Sequence, residues 1–198
     1  MKLHATTILL VRRADTVCLI SDGQVTNSAV HTVLKSGASK VKRAAKGDVL
    51  VGFAGGGADA LTLFSRFEAK LEQFHSNFTR AVVELAMDWR QDRALRQLEA
   101  QMIVTNGEQS FLVMGNGDLL EPDTTEVSGF QNGDQTIAIG SGGNFAMAAS
   151  RALLRHTELD AESVAREAMK VAAELCVYTN DHFTVETVSV PAQSGGDR

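Results

Sequence analysis

Two apolar runs open the chain, and neither alternates with polar residues. Thr6–Arg12 reads TTILLVR and Thr16–Ser21 reads TVCLIS. Apolar side chains fall on both faces of the strands they would form, which is the pattern of strands covered from two sides. Arg13-Ala14-Asp15 between them is short enough for a hairpin loop, and Asp22-Gly23 closes the second run with turn chemistry. Asn27–Ser39, polar and small, predicts loop with short strand pieces. Lys40–Ala44 and Asp48–Ala54 predict another hairpin, turning at Lys46-Gly47.

The period then changes. After Gly55-Gly56-Gly57, Leu61, Phe64, Phe67, Leu71 and Phe74 recur at helical spacing. Beyond a break at Ser76-Asn77, Phe78, Val82, Leu85, Trp89, Leu95 and Leu98 predict a second amphipathic helix reaching about Leu98. Gln101–Thr105, Ser110–Met114 and Asp118–Leu120 predict short strands. Asn106-Gly107 and Asn116-Gly117 join them, and such dipeptides favour type I′ turns. Glu121–Gln135 predicts a polar loop, Thr136–Ile139 a strand and Gly140–Gly143 a turn. Two helices follow, about Asn144–Arg155 and Ala161–Tyr178, the second capped by Asp160. His182–Val190 alternates as a last strand. Hairpins dominate, so the sheets are antiparallel. With two helix pairs, the order predicts an α+β fold, a four-layer α-β-β-α sandwich. We expect one domain over residues 6–190, with Met1–Ala5 as a leader and 191–198 as a flexible tail.

Composition narrows the function. The chain has 198 residues, a formal charge of −5, 44% hydrophobic and 22% charged residues, near the averages for a globular domain. The acidic balance argues against a protein that wraps nucleic acid. The cluster Lys35, Lys40, Lys42, Arg43 and Lys46 then reads as a solvated face. Two cysteines, Cys18 and Cys176, do not make a disulfide scaffold and suit a reducing compartment, so the expected location is cytoplasmic. The apolar runs fall far short of the ~20 residues of a membrane span.

Common catalytic motifs are missing: no Walker lysine-serine pair, no G-x-S-x-G, no H-E-x-x-H and no paired C-x-x-C. His4, His31, His75, His156 and His182 sit in unrelated contexts and read as surface or helix-end residues. Gly55-x-Gly57-x-x-Ala60 fits the dinucleotide fingerprint on paper, but a second helix and flanking hairpins replace the parallel strand such a unit needs. The same turn, with bare N–H groups at a helix start, reads better as an oxyanion site. A nucleophile at the chain start remains. If a leader is removed before Thr6, its new α-amino group becomes the base for its own hydroxyl. Lys40 is a candidate for the charge that keeps that amine neutral, and Asp22 for the acid that holds the lysine. Thr7 is a rival to Thr6, but neighbours on a strand face opposite sides, so one of them alone can face the lysine.

These residues resemble a known family. Thr-Thr-Ile-x-x-Val-Arg-Arg at 6–13, Ser-Asp-Gly-Gln at 21–24, Lys-Val-Lys-Arg at 40–43 and Gly-Phe-Ala-Gly-Gly at 52–56 are similar to the HslV proteolytic subunits. So are Glu-Leu-Ala-x-Asp-Trp-Arg at 84–90, Ala-Ile-Gly-Ser-Gly-Gly at 138–143 and Cys-x-Tyr-Thr-Asn at 176–180. The broader group is the proteasome β-type, N-terminal-nucleophile hydrolases. The resemblance implies a threonine-type endopeptidase with Thr6 as nucleophile and Asp22 and Lys40 as its charge network. It implies Ser141 as a further polar member and the Gly55 N–H as oxyanion donor. It implies a sodium ion on backbone oxygens of Ala173, Cys176 and Thr179, with alanine where the family usually has glycine. No organic cofactor is implied. The implied assembly is a homo-oligomer of two stacked hexameric rings, fed unfolded protein by an HslU-type ATPase unfoldase. The chain departs from the pattern in its leader, in a longer loop at Asn27–Gly37, in an insertion at Val127–Gln135 and in its tail. Removal of the leader is expected by self-cleavage, the Thr6 hydroxyl attacking the Ala5 carbonyl. The competing readings are a small-molecule amidase of the same nucleophile class, an inactive structural ring subunit and a nucleotide-binding module.

Overall fold

A computed structural model of the chain describes residues 6–27, 29–93, 95, 100–123, 125–130 and 133–190. The expected leader, the expected tail, Leu98 and part of the expected insertion lie outside the described residues. The chain runs β1 (Thr7–Arg13), β2 (Thr16–Ser21), β3 (Val25–Asn27), β4 (Thr32–Lys35), β5 (Val41–Ala44), β6 (Val49–Gly55), α1 (Gly57–Gln73) and α2 (Phe78–Gln91). It continues through β7 (Ala100–Thr105), β8 (Ser110–Met114), β9 (Leu119–Leu120), α3 (Thr125–Ser128), β10 (Gln135–Gly140), α4 (Gly143–His156), α5 (Ala161–Leu175) and β11 (Thr184–Ser189).

Two antiparallel sheets, ordered β10-β1-β2-β11 and β5-β6-β7-β8-β9, lie between two helix pairs. The unbroken apolar runs explain the stacking. Successive strand residues point to opposite faces, so Ile8, Leu10, Val17 and Leu19 face inward and meet Leu50, Ile103 and Leu112 of the other sheet. Leu9, Val11, Cys18 and Ile20 face outward and are covered by Ala146, Leu154, Val164 and Met169 of α4 and α5. The outer face of the second sheet, with Val51, Phe53, Met102 and Val104, takes Leu63 and Phe67 of α1 and Val82, Leu85 and Trp89 of α2. Each such leucine or isoleucine contributes about 1.5–3 kcal/mol by leaving water, and Ile8 through Val11 are all fully buried.

Polar side chains set the element ends. Asn77 accepts from the Arg80 amide at the start of α2, and Asp160 accepts from the Ser163 amide at the start of α5, 2.7 Å away. Arg13 ties the α4 end to β1. Its guanidinium donates to Asp134 Oδ2 and to the carbonyls of Leu154, Thr157 and Leu159, capping carbonyls that a helix end leaves open.

Four details differ from the sequence expectation. The second helix stops at Gln91, not near Leu98, and Leu95 is buried beyond its end; packing continues the apolar spacing where the helix does not. The last helix ends at Leu175 rather than Tyr178. A helical turn, α3, stands in the expected loop after Glu121. Gly107 and Gly117 have positive φ but Asn106 and Asn116 do not, so the turns are not type I′. Both asparagines act through their side chains instead, Asn106 Oδ1 accepting from the Glu108 and Gln109 amides and Asn116 Oδ1 from the Asp118 amide.

Candidate active site

Thr6, just before β1, and Thr7, its first residue, point to opposite sides. Thr6 lines a cleft of about 360 Å³ together with Lys40, Gly55, Val25, Phe53 and Leu61. Its carbonyl accepts from the Ser141 amide at 2.9 Å and from the Ser141 hydroxyl at 3.4 Å. Thr7 turns the other way and is fully buried. Its hydroxyl bonds with the Thr179 hydroxyl at 2.7 Å and accepts from the Gly142 amide at 2.9 Å. Of the two threonines, Thr6 shares the cleft with the lysine.

Asp22 stands just past β2, without exposed surface. Its Oδ1 accepts from Lys40 Nζ at 2.7 Å and from the Thr7 amide at 2.8 Å, and its Oδ2 accepts from the Gln24 amide at 2.9 Å. Lys40 also donates to the Gln24 carbonyl at 2.7 Å. Burial pushes the Lys40 ammonium below its ordinary range, and the Asp22 carboxylate opposes that shift. Lys40 thus leaves the solvated basic face to which its sequence neighbours assign it: its side chain is 9% exposed.

Gly55 ends β6 at the cleft wall with φ 137°, a conformation a side chain rarely tolerates, and α1 begins two residues later. Gly140 has φ 87°, and a Cβ there would overlap the Thr6 carbonyl. That close approach is what lets the turn after β10 hold the Thr6 carbonyl.

Ala173, Cys176 and Thr179 cluster at the end of α5. The Cys176 amide donates to the Ala172 carbonyl, and the Cys176 carbonyl accepts from the Thr179 amide at 3.0 Å. The Cys176 thiol is free and buried. No group of three or more His, Cys, Asp or Glu side chains suited to a metal occurs among the described residues. His31, His75, His156 and His182 are exposed, whereas His4 lies outside the described residues.

The residues that sequence reasoning did not assign are Gln24, Gly142, Asn180 and the hydroxyls of Thr7 and Thr179. Asn180 Oδ1 accepts from the Gly23 amide at 3.0 Å and its Nδ2 donates to the Ser36 carbonyl at 2.8 Å, bracing the loop that carries Asp22. The motifs at 21–24 and 176–180 contain Gln24, Thr179 and Asn180, but nothing in their spacing says that the two motifs touch.

Residues 2–188 match the proteasome subunit family. The chain is 49% identical over 186 residues to the ATP-dependent protease subunit HslV of Thermosipho africanus, an alignment spanning 94% of this chain and 99% of that protein. It is 50% identical over 188 residues to the subunit of the same name in Desulfovibrio desulfuricans, spanning 95% and 100%. The crystal structure of eukaryotic HslV from Trypanosoma brucei superposes with a TM-score of 0.83 at 45% identity, covering 92% of this chain and 99% of that one. Thiobacillus denitrificans BPH shares the fold at a TM-score of 0.64 and 21% identity, covering 94% and 100%.

Proposed function

The chain belongs to the proteasome family, and from that premise we propose that it is the threonine-type endopeptidase subunit of an ATP-dependent, proteasome-like protease. One observation carries the reading: Thr6 shares a cleft with Lys40 and Gly55 while Thr7 is turned away and fully bonded. Once Met1–Ala5 is cut away, the Thr6 hydroxyl attacks the scissile carbonyl and the Thr6 amine accepts its proton. The unperturbed amine titrates at about 7.7–8.0. The Lys40 cation, held by Asp22, disfavours a second charge on it and keeps it unprotonated, free to accept a proton, at neutral pH. The Gly55 N–H stabilises the tetrahedral oxyanion, and a donor in that role contributes about 2.7–4 kcal/mol. As the intermediate collapses, the Thr6 ammonium passes its proton to the departing nitrogen, which leaves as an amine, and water then hydrolyses the ester left on Thr6.

The lining of Val25, Phe53, Ala60 and Leu61 suits an apolar substrate side chain. The main-chain carbonyls of Ala173, Cys176 and Thr179 would hold a sodium ion. Oxygen donors suit a hard cation, and Ala173 lies in the last turn of α5, where carbonyls lack partners within the helix. The ion would supply a positive charge that fixes this turn. As the sequence resemblance implies, the subunit would assemble as two stacked hexameric rings with an HslU-type ATPase that feeds it unfolded protein, in the cytoplasm.

Intact mass and N-terminal sequencing of the purified protein test the reading together with a Thr6→Ala variant. The expected result is a wild-type N-terminus at Thr6, and a variant that keeps Met1–Ala5 and cleaves no peptide. A Thr6→Ala chain that hydrolyses peptides at the wild-type rate would overturn it.

A further inference from the structure

We infer that Thr7, next to the nucleophile, is a positioning residue: its buried hydroxyl, bonded to Thr179 and to the Gly142 amide, fixes the placement of Thr6 in the cleft. The inference rests on the assignment of Thr6 as nucleophile. Every polar atom of Thr7 is engaged. Its amide donates to Asp22 Oδ1 at 2.8 Å, its carbonyl accepts from the Asp22 amide at 3.2 Å, and its hydroxyl contacts Thr179 Oγ1 and the Gly142 amide at 2.7 and 2.9 Å.

These anchors come from three separate places: the turn after β2, the start of α4 and the loop after α5. Each lies one step from a group of the site. Asp22 Oδ1 also holds Lys40. Gly142 follows Ser141, whose amide holds the Thr6 carbonyl. Thr179 accompanies Asn180, which braces the Asp22 loop. A Cβ at Gly142 would meet the hydroxyls of both Thr7 and Thr179, so the close approach is built into the backbone. Fixing strand β1 alone would not require a hydroxyl at this position. Its outward neighbours Leu9 and Val11 are held by apolar packing, and a buried hydroxyl costs free energy unless bonded.

Peptide hydrolysis by the full chain, assembled with its ATPase partner and ATP, tests this with Thr7→Val, Thr7→Ser, Thr179→Val, Thr179→Ser and Thr6→Ala in parallel. A nucleophile displaced by a fraction of an ångström loses rate rather than binding, so each valine variant should lower kcat at least about tenfold with KM changed less than about twofold. Each serine variant, which keeps the hydroxyl, should stay within about threefold of wild type. An inactive Thr6→Ala beside a Thr7→Val with wild-type kcat would overturn the positioning role and leave the peptidase reading standing. An active Thr6→Ala would remove both. Loss of the cooperative unfolding transition in both valine variants would make the network a folding element, and that too would overturn the inference.

Discussion

Lys40→Met is the sharpest probe of the charge pair beneath the site. The variant keeps the length and apolar stem of the side chain and removes the ammonium. Asp22 is then a buried carboxylate with no exposed surface that has lost the counter-charge Lys40 supplied. Breaking a buried pair by removing one partner costs about 3–5 kcal/mol. Asp22 keeps two main-chain donors, the amides of Thr7 and Gln24, so the loss should sit at the low end, about 3 kcal/mol. For a chain of this length that lowers Tm by about 6–12 °C. Thermal unfolding at pH 7 and one fixed protein concentration reads it, with the double variant Asp22→Asn/Lys40→Met beside it. The double variant carries no stranded charge and should recover at least about 1 kcal/mol of the loss. A single variant within about 1 kcal/mol of wild type, or a double variant no better than the single, would refute the reasoning.

Other outcomes follow from the same structure. Because burial lowers the Lys40 pKa from 10.5, activity should fall on the alkaline side before pH 10.5 is reached. In that window the unfolded chain holds the lysine proton longer than the native chain, so Lys40's own contribution to stability rises with pH. kcat/KM and Tm profiles measured together separate the two effects, and an alkaline limb at or above pH 10.5 would contradict the assignment. Trp89 is fully buried and its indole N–H has no partner among the described residues. Trp89→Ala should cost about 3–5 kcal/mol in chemical denaturation. Trp89→Phe should cost less than about 2 kcal/mol, because it also removes an unsatisfied donor. Asp160→Ala removes the cap of α5 and should lower stability by about 1 kcal/mol, whereas Asp160→Asn should hold most of it. Both are read by the same denaturation.

Much of the fold was legible because local chemistry and global packing agree. Ile8 through Val11 are apolar on both faces since each face of β1 has a layer against it. Asp160 caps a helix because its side chain reaches an amide three residues on. Where two local solutions compete, the sequence misled. Leu95 kept the helical spacing beyond Gln91, since burial rewards an apolar residue whether or not the backbone is helical. Asn106-Gly107 offered a type I′ turn, and the asparagine side chain bonded the turn amides instead.

The sequence by itself determined the layered strands, the helix stripes and the residue types of the proposed site, a threonine with a lysine and an acid. The tertiary structure alone decided which threonine meets which partner. Thr6 and Thr7 are the same residue type side by side, and the pleat sends them to opposite sides of the sheet. Thr7 then meets Thr179, 172 residues away. Lys40 belongs to a basic run in sequence, yet it is drawn from water to Asp22, 18 residues earlier. Propensity and periodicity reach a few residues along the chain, whereas a catalytic site is a set of distances between residues far apart in it. Those distances exist only once the two sheets and the ends of α4 and α5 have packed against one another.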